Sequence, residues 1–170
     1  MRRPLALLAS AVFLIIAPGL VAGFIPWWIC RWHFGPAVFG DTVVGVLGVA
    51  LIAGGVPVLL DSFARFAVQG VGTPAPVFPT EHLVITGWFR YVRNPMYLAI
   101  LALVFGQGLL FRNVRVLEYG AGVAVAFCAF VLLYEEPTLR HRFGREYDEF
   151  CANVPRWIPR LSPWRKPMAQ

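Results

Sequence analysis

Apolar and polar positions alternate along this chain in long blocks. Residues 5–25 form a run of 21 positions without a charge, long enough to cross the hydrocarbon core of a bilayer. A second apolar block, 43–60, carries Gly45, Gly48, Gly54 and Gly55, and small residues let membrane helices approach closely. A third block covers 96–111 and a fourth covers 116–134, interrupted by Glu118. Arg112-Asn113-Val114-Arg115 separates these two as a short polar turn, so they read as a helical hairpin. The pattern predicts an all-α fold: an integral membrane helical bundle of about four transmembrane helices, one domain over residues 1–170.

The segments between blocks read differently. Residues 26–40 form a connector with Trp27, Trp28 and Trp32, as expected for rings at headgroup level. Asp41-Thr42 is placed to cap the second helix. Asp61 and Arg65 lie four apart on its helical continuation, a spacing that pairs them. Residues 69–79 contain Gly70, Gly72, Pro74, Pro76 and Pro79 and read as a loop. After the fourth block, Leu139, Phe143, Tyr147, Phe150 and Val154 recur at helical spacing among Arg140, His141, Arg142 and Arg145. This predicts a C-terminal amphipathic helix from 137 to 154 that lies along the membrane surface. Pro155, Pro159 and Pro163 then end regular structure, and the Trp- and Arg-bearing tail around them reads as an interfacial anchor.

Composition supports lipid as the solvent. Hydrophobic residues make up 58% of the chain and charged ones 14%, against about 25% charged in soluble domains. Met1-Arg2-Arg3 before an apolar run also suits a signal peptide, but the run exceeds an ordinary signal core and another block follows. The net charge of +6 sits at the ends of apolar blocks, so anionic lipid headgroups rather than nucleic acid are the expected partner. Cys30, Cys128 and Cys151, like His33, His82 and His141, are scattered. No metal site or disulfide framework is expected from such spacing.

Charge also sets orientation. Four crossings from a cytoplasmic N-terminus put Arg2, Arg3, Arg65, Arg90, Arg93 and the seven basic residues from Arg140 to Lys166 on the cytoplasmic side, leaving Arg31, Arg112 and Arg115 opposite. That asymmetry follows the positive-inside rule. It predicts cytoplasmic N- and C-termini. It also brings two polar islands to one membrane face: residues 72–97, ending in Arg93-Asn94-Pro95-Met96-Tyr97, and residues 135–159, opening with Glu135-Glu136-Pro137. Pro95 and Pro137 each suit the first turn of a helix, and acids near such a start are favoured by its dipole. Two adjacent carboxylates closing an apolar block are nonetheless costly without a partner. Carboxylates facing aromatic rings suit a cationic ligand.

The two islands carry a resemblance. Leu83-Val84, Gly87, Phe89 and then Arg93-Asn94-Pro95-Met96-Tyr97 resemble the core motif of the isoprenylcysteine carboxyl methyltransferase family. Glu135-Glu136, Leu139, Phe143-Gly144, Tyr147 and Val154-Pro155 resemble its second motif at matching spacing. Related families that methylate phospholipid headgroups or small thiols share the Glu-Glu element. The resemblance implies an integral membrane methyltransferase using S-adenosyl-L-methionine on a lipophilic or small acceptor: an isoprenylcysteine-type carboxylate, a phospholipid amine or a thiol. His82, Leu83, Val84 and Phe89 would line the cofactor pocket; Asn94, Pro95, Met96 and Tyr97 would pack on or hydrogen-bond the cofactor. Glu135 would hold its amino group. Glu136 would be a possible base, with Arg93 beside it in the catalytic set. Asn94 stands where many members have histidine, and Val131 where eukaryotic members have a basic residue associated with the substrate carboxylate. The alternative class is a non-catalytic membrane protein that keeps the fold as a sensor or assembly factor.

Overall fold

The computed structural model describes residues 12–13, 15–36, 41–69 and 82–165, with the side chains of 41, 67 and 69 excepted. Among the described residues the fold is all helical. α1 is Ile15–Cys30, α2 is Asp41–Gln69 and α3 is Pro95–Leu110. α4 is Val114–Phe143, and α5 is Arg145–Asn153. The 69–79 loop falls almost wholly outside the described residues, as do the first residues of the 5–25 block.

Two helices, α2 and α4, are long and apolar enough to cross a membrane, and only 17% of each most apolar stretch is buried. The core helix of a soluble protein would bury most of such a stretch, so these apolar surfaces face lipid. α1 and α3 are shorter apolar helices. The expected block boundaries shift in three places. α1 runs on through Pro26 to Cys30 rather than giving way to a connector at 26. α2 continues past 60 to Gln69, carrying the Asp61–Arg65 pair at 2.8 Å. α4 does not stop at 134 but passes through Glu135-Glu136-Pro137 without a break. The amphipathic segment from 137 to 154 is correspondingly not one helix: Gly144, at φ 51°, ends α4 and starts α5.

Close packing of α2 on α3 organises the bundle. A Cβ on Gly48 would lie 2.7 Å from the Gly106 carbonyl oxygen, and one on Gly106 would lie 2.8 Å from Ile52. Glycine at both positions is what lets the two backbones touch. Of the other glycines in α2, Gly55 faces the Ala99 carbonyl, whereas Gly45 and Gly54 meet nothing within 4 Å. The predicted hairpin forms. Asn113 caps α4 by accepting a hydrogen bond from the Val116 amide at 3.2 Å, and Arg112 makes the turn at φ 52°.

Helix α1 is tied to the hairpin by an irregularity of its own. Gly19–Phe24 winds as a wide π turn, with the Ile25 amide bonded to the Leu20 carbonyl. Pro26, one residue later, has no amide to donate. The carbonyls of Val21 and Ala22 are thereby freed, and the hairpin takes them. Tyr119 Oη donates to Val21 at 2.9 Å and Gln107 Nε2 donates to Ala22 at 2.6 Å. The core sits between α1, α2 and the hairpin, with Val104 and Val116 completely buried.

Candidate functional site

The two islands meet at the open end of the hairpin, where α3 begins and α4 passes its midpoint. Residues 87–94 approach as a short 3₁₀ turn, Gly87–Arg90, followed by an irregular stretch. Gly87 adopts φ 55°, and a side chain there would collide with the Arg65 guanidinium. The position favours glycine for its backbone, and a side chain there would also displace Arg65. Pro95 occupies the first turn of α3, which puts Arg93 and Asn94 just outside the helix and Tyr97 just inside it.

On the opposite side α4 changes pitch. Val131–Glu135 is a second π turn, with the Glu136 amide bonded to the Val131 carbonyl. The extra residue rotates the remainder of α4 relative to a regular helix, a feature frequent at functional sites. The two acids then diverge. Glu135 turns to α3 and accepts a hydrogen bond from Tyr97 Oη at 2.7 Å. Glu136, 7% exposed, turns to the loops. It accepts from Arg93 Nη1 at 3.1 Å and from Arg156 through Nε at 2.6 Å and Nη2 at 2.9 Å. Both of its oxygens are therefore engaged by guanidinium groups, a bidentate geometry that fixes the carboxylate as well as pairing it. In return, hydrogen bonding to Glu136 raises the Arg156 guanidinium above its ordinary value.

The residues after α5 close the site from below. Pro155 O accepts from the Arg93 amide, Tyr91 O from the Arg160 amide and Arg90 O from the Trp164 amide, each at 2.9 Å. Arg90 Nε donates to the Trp164 carbonyl at 2.7 Å, and Asn94 Nδ2 to the Arg156 carbonyl at 3.1 Å. Arg93 Nη1 also donates to Cys151 Sγ at 2.8 Å. Tyr147, Phe150, Val154 and Trp164 bury one small core beneath this strap. Burial pushes the Tyr147 phenol above its usual value.

Two cavities share this end of the molecule. A narrow cleft of about 50 Å³ joins the apolar side chains of Leu83, Val84 and Phe89 to the polar ones of Arg93, Asn94 and Glu136. An apolar chamber of about 210 Å³ lies between α1, α2 and the hairpin, with Met96, Tyr97, Phe127 and Phe130 in its wall. Phe66 and Glu135 line both. Most residues expected at the site thus fall on one of the two cavities. His82 is exposed at the start of its segment and lines neither. Pro95 is buried but faces an outer groove between α2 and α3. Sequence reasoning missed Arg156, whose side chain is the main partner of Glu136. Its position directly after Val154-Pro155 was a signal that could have raised the question. Among the described residues no group of three or more histidines, cysteines or acids could hold a metal ion.

A helical protein whose apolar helices face lipid, with a carboxylate-bearing cleft at one end of a hairpin, is built as a membrane protein. The phospholipid methyltransferase family model matches residues 43–146, more than half of the chain, and the chain belongs to that family. The matched segment contains both the 87–97 island and the acidic pair. Family membership places the chain among membrane methyltransferases. No curated protein and no solved structure matches it.

Proposed function

We propose that this chain is an S-adenosyl-L-methionine-dependent methyltransferase of four membrane passes, with its site and both termini at the cytoplasmic face, acting on a lipophilic acceptor. The observation that carries this reading is the position of Glu135. One carboxylate, bonded to Tyr97, borders both the cleft that carries Arg93, Asn94 and Glu136 and the apolar chamber. The donor set fits the cofactor. Glu135 suits its ammonium group, Asn94 lies at the cleft, and Leu83, Val84, Phe89 and Leu139 offer apolar surface for a nucleobase. The cofactor, when bound, supplies an activated methyl group on a sulfonium.

What the chain contributes is orientation and exclusion of water. Arg93 and Arg156 hold Glu136 rigidly, which fixes the turn of α4 that presents Glu135. Glu136 thus acts as a clamp rather than as a base. The cleft is smaller than the roughly 300–1,000 Å³ of ordinary small-molecule sites, so cofactor entry moves the α5 wall, Tyr147 and Phe150, outward. The chamber favours an amine acceptor over a carboxylate. Among its described lining residues Glu135 alone is charged, its rings suit an ammonium group, and the nearby guanidiniums of Arg93 and Arg156 are spent on Glu136.

The test is calorimetric binding of S-adenosyl-L-methionine to purified protein, followed by transfer of labelled methyl groups into a lipid extract, with Glu135→Ala as control. Binding and transfer that both vanish in the variant support the reading. Well-folded protein that binds no cofactor would end it, and binding without transfer to any acceptor would favour a sensor instead.

A further inference from the structure

The strap formed by residues 155–165 shows an unusual division of its apolar side chains. Trp164 is buried in the small core under the site, whereas Ile158 is 79% exposed and Leu161 is fully exposed. Neither is on a loose end. Ile158 lies between the bonds made at Pro155 and Arg160, and Leu161 between those made at Arg160 and Trp164. The backbone is pinned on each side of both residues, so they are held outward. Their surroundings are basic. Arg160 lies between them, its guanidinium donating to the Asn153 carbonyl at 2.6 Å, Arg165 follows, and no acid occurs from Val154 to the end of the chain. The neighbouring residue Pro159 lies in the wall of the outer groove, beside Leu51, Gly54 and Val58 of α2 and Leu98 and Ala102 of α3. The strap therefore continues the surface that the apolar helices present to lipid.

We propose that this strap docks on an anionic lipid surface, with Ile158 and Leu161 entering the interface and Arg160 and Arg165 meeting the headgroups. An apolar pair set among arginines, without an acid, has the chemistry of such a contact. The same strap supplies both the Arg156 guanidinium on Glu136 and the Arg156 carbonyl on Asn94. Docking on lipid thus steadies the two motifs of the site from outside it. Only this last consequence rests on the methyl-transfer reading; the docking does not.

The experiment is hydrogen exchange on the full-length protein in nanodiscs, one set of phosphatidylcholine alone and one with phosphatidylglycerol added. Amides of residues 155–165 are expected to exchange about threefold or more slowly in the anionic discs, and Ile158→Ser/Leu161→Ser is expected to remove that difference. Both side chains are exposed, so the double variant keeps its fold. Equal exchange in the two discs overturns the proposal. So does protection that survives in the double variant, or protection that follows the number of protein copies per disc rather than lipid charge, which would mark a contact between copies. The readout involves no methyl transfer, so loss of the enzymatic reading leaves it intact.

Discussion

The two ends of the hairpin hold polar groups in opposite ways. At the turn end the bonds are made by neutral side chains, and two of them cross 85 and 98 residues of sequence. Gln107 and Tyr119 bond to α1 carbonyls that a π turn and Pro26 have freed, and Asn113 caps α4. At the open end they are charged, and they join segments 20 to 43 residues apart. Arg93, Glu136 and Arg156 come from three segments, and Tyr97 meets Glu135 across the hairpin. A neutral bond is enough to hold helices together. Burying charges is costly unless each is paired, which is why Glu136 carries two guanidinium partners.

That contrast can be broken in four places. The largest effect is expected from Glu135→Gln. Methyl transfer should fall by about 100-fold or more while the unfolding temperature stays close to that of the wild type. An unchanged rate would remove the carboxylate from the reaction. Glu136→Ala comes next and acts on the fold. It strands the guanidiniums of Arg93 and Arg156, and loss of one partner of a buried pair costs about 3–5 kcal/mol. Thermal unfolding in detergent should show it, and a stability loss confined to the activity-dead Glu135 variant would reverse the roles assigned here.

Gln107→Ala, at the other end, should cost about 0.6–1.7 kcal/mol, the range of interhelical hydrogen bonds in membranes, and should leave methyl transfer unchanged. A lost activity would mean that the two ends are coupled. The smallest effect is expected from Asp148→Asn. Its pair with Arg140 is more than half exposed on both sides, so neither unfolding temperature nor activity should move.

The residue pattern made part of this legible. Block lengths and the polar turn at 112–115 were enough for the hairpin, since a helix with apolar residues all round has to face lipid or a core. Charge asymmetry and the spacing of two motifs were enough to bring residues 87–97 against Glu135-Glu136. The pairings within that meeting were not readable. Adjacent acids in a regular helix point about 100° apart, but the π turn at Val131–Glu135 adds a residue to the winding and resets which acid meets which partner. Nothing in Val-Leu-Leu-Tyr-Glu announces such a turn. Arg156 was hidden for a related reason. It stands in a proline-rich tail that reads as an anchor, and only the backbone bonds from Pro155, Arg160 and Trp164 carry it under the site.

Sequence alone determined that this is a helical, lipid-facing chain with two linked polar motifs. Periodicity, block length and charge are local properties, and each residue carries them wherever it is placed. Tertiary structure decided which glycines of α2 touch α3, that Glu136 is held at both oxygens, and that Glu135 is the acid left bordering both cavities. Those outcomes depend on helix winding and on contacts between segments distant in the chain, and such contacts exist only once the helices have packed.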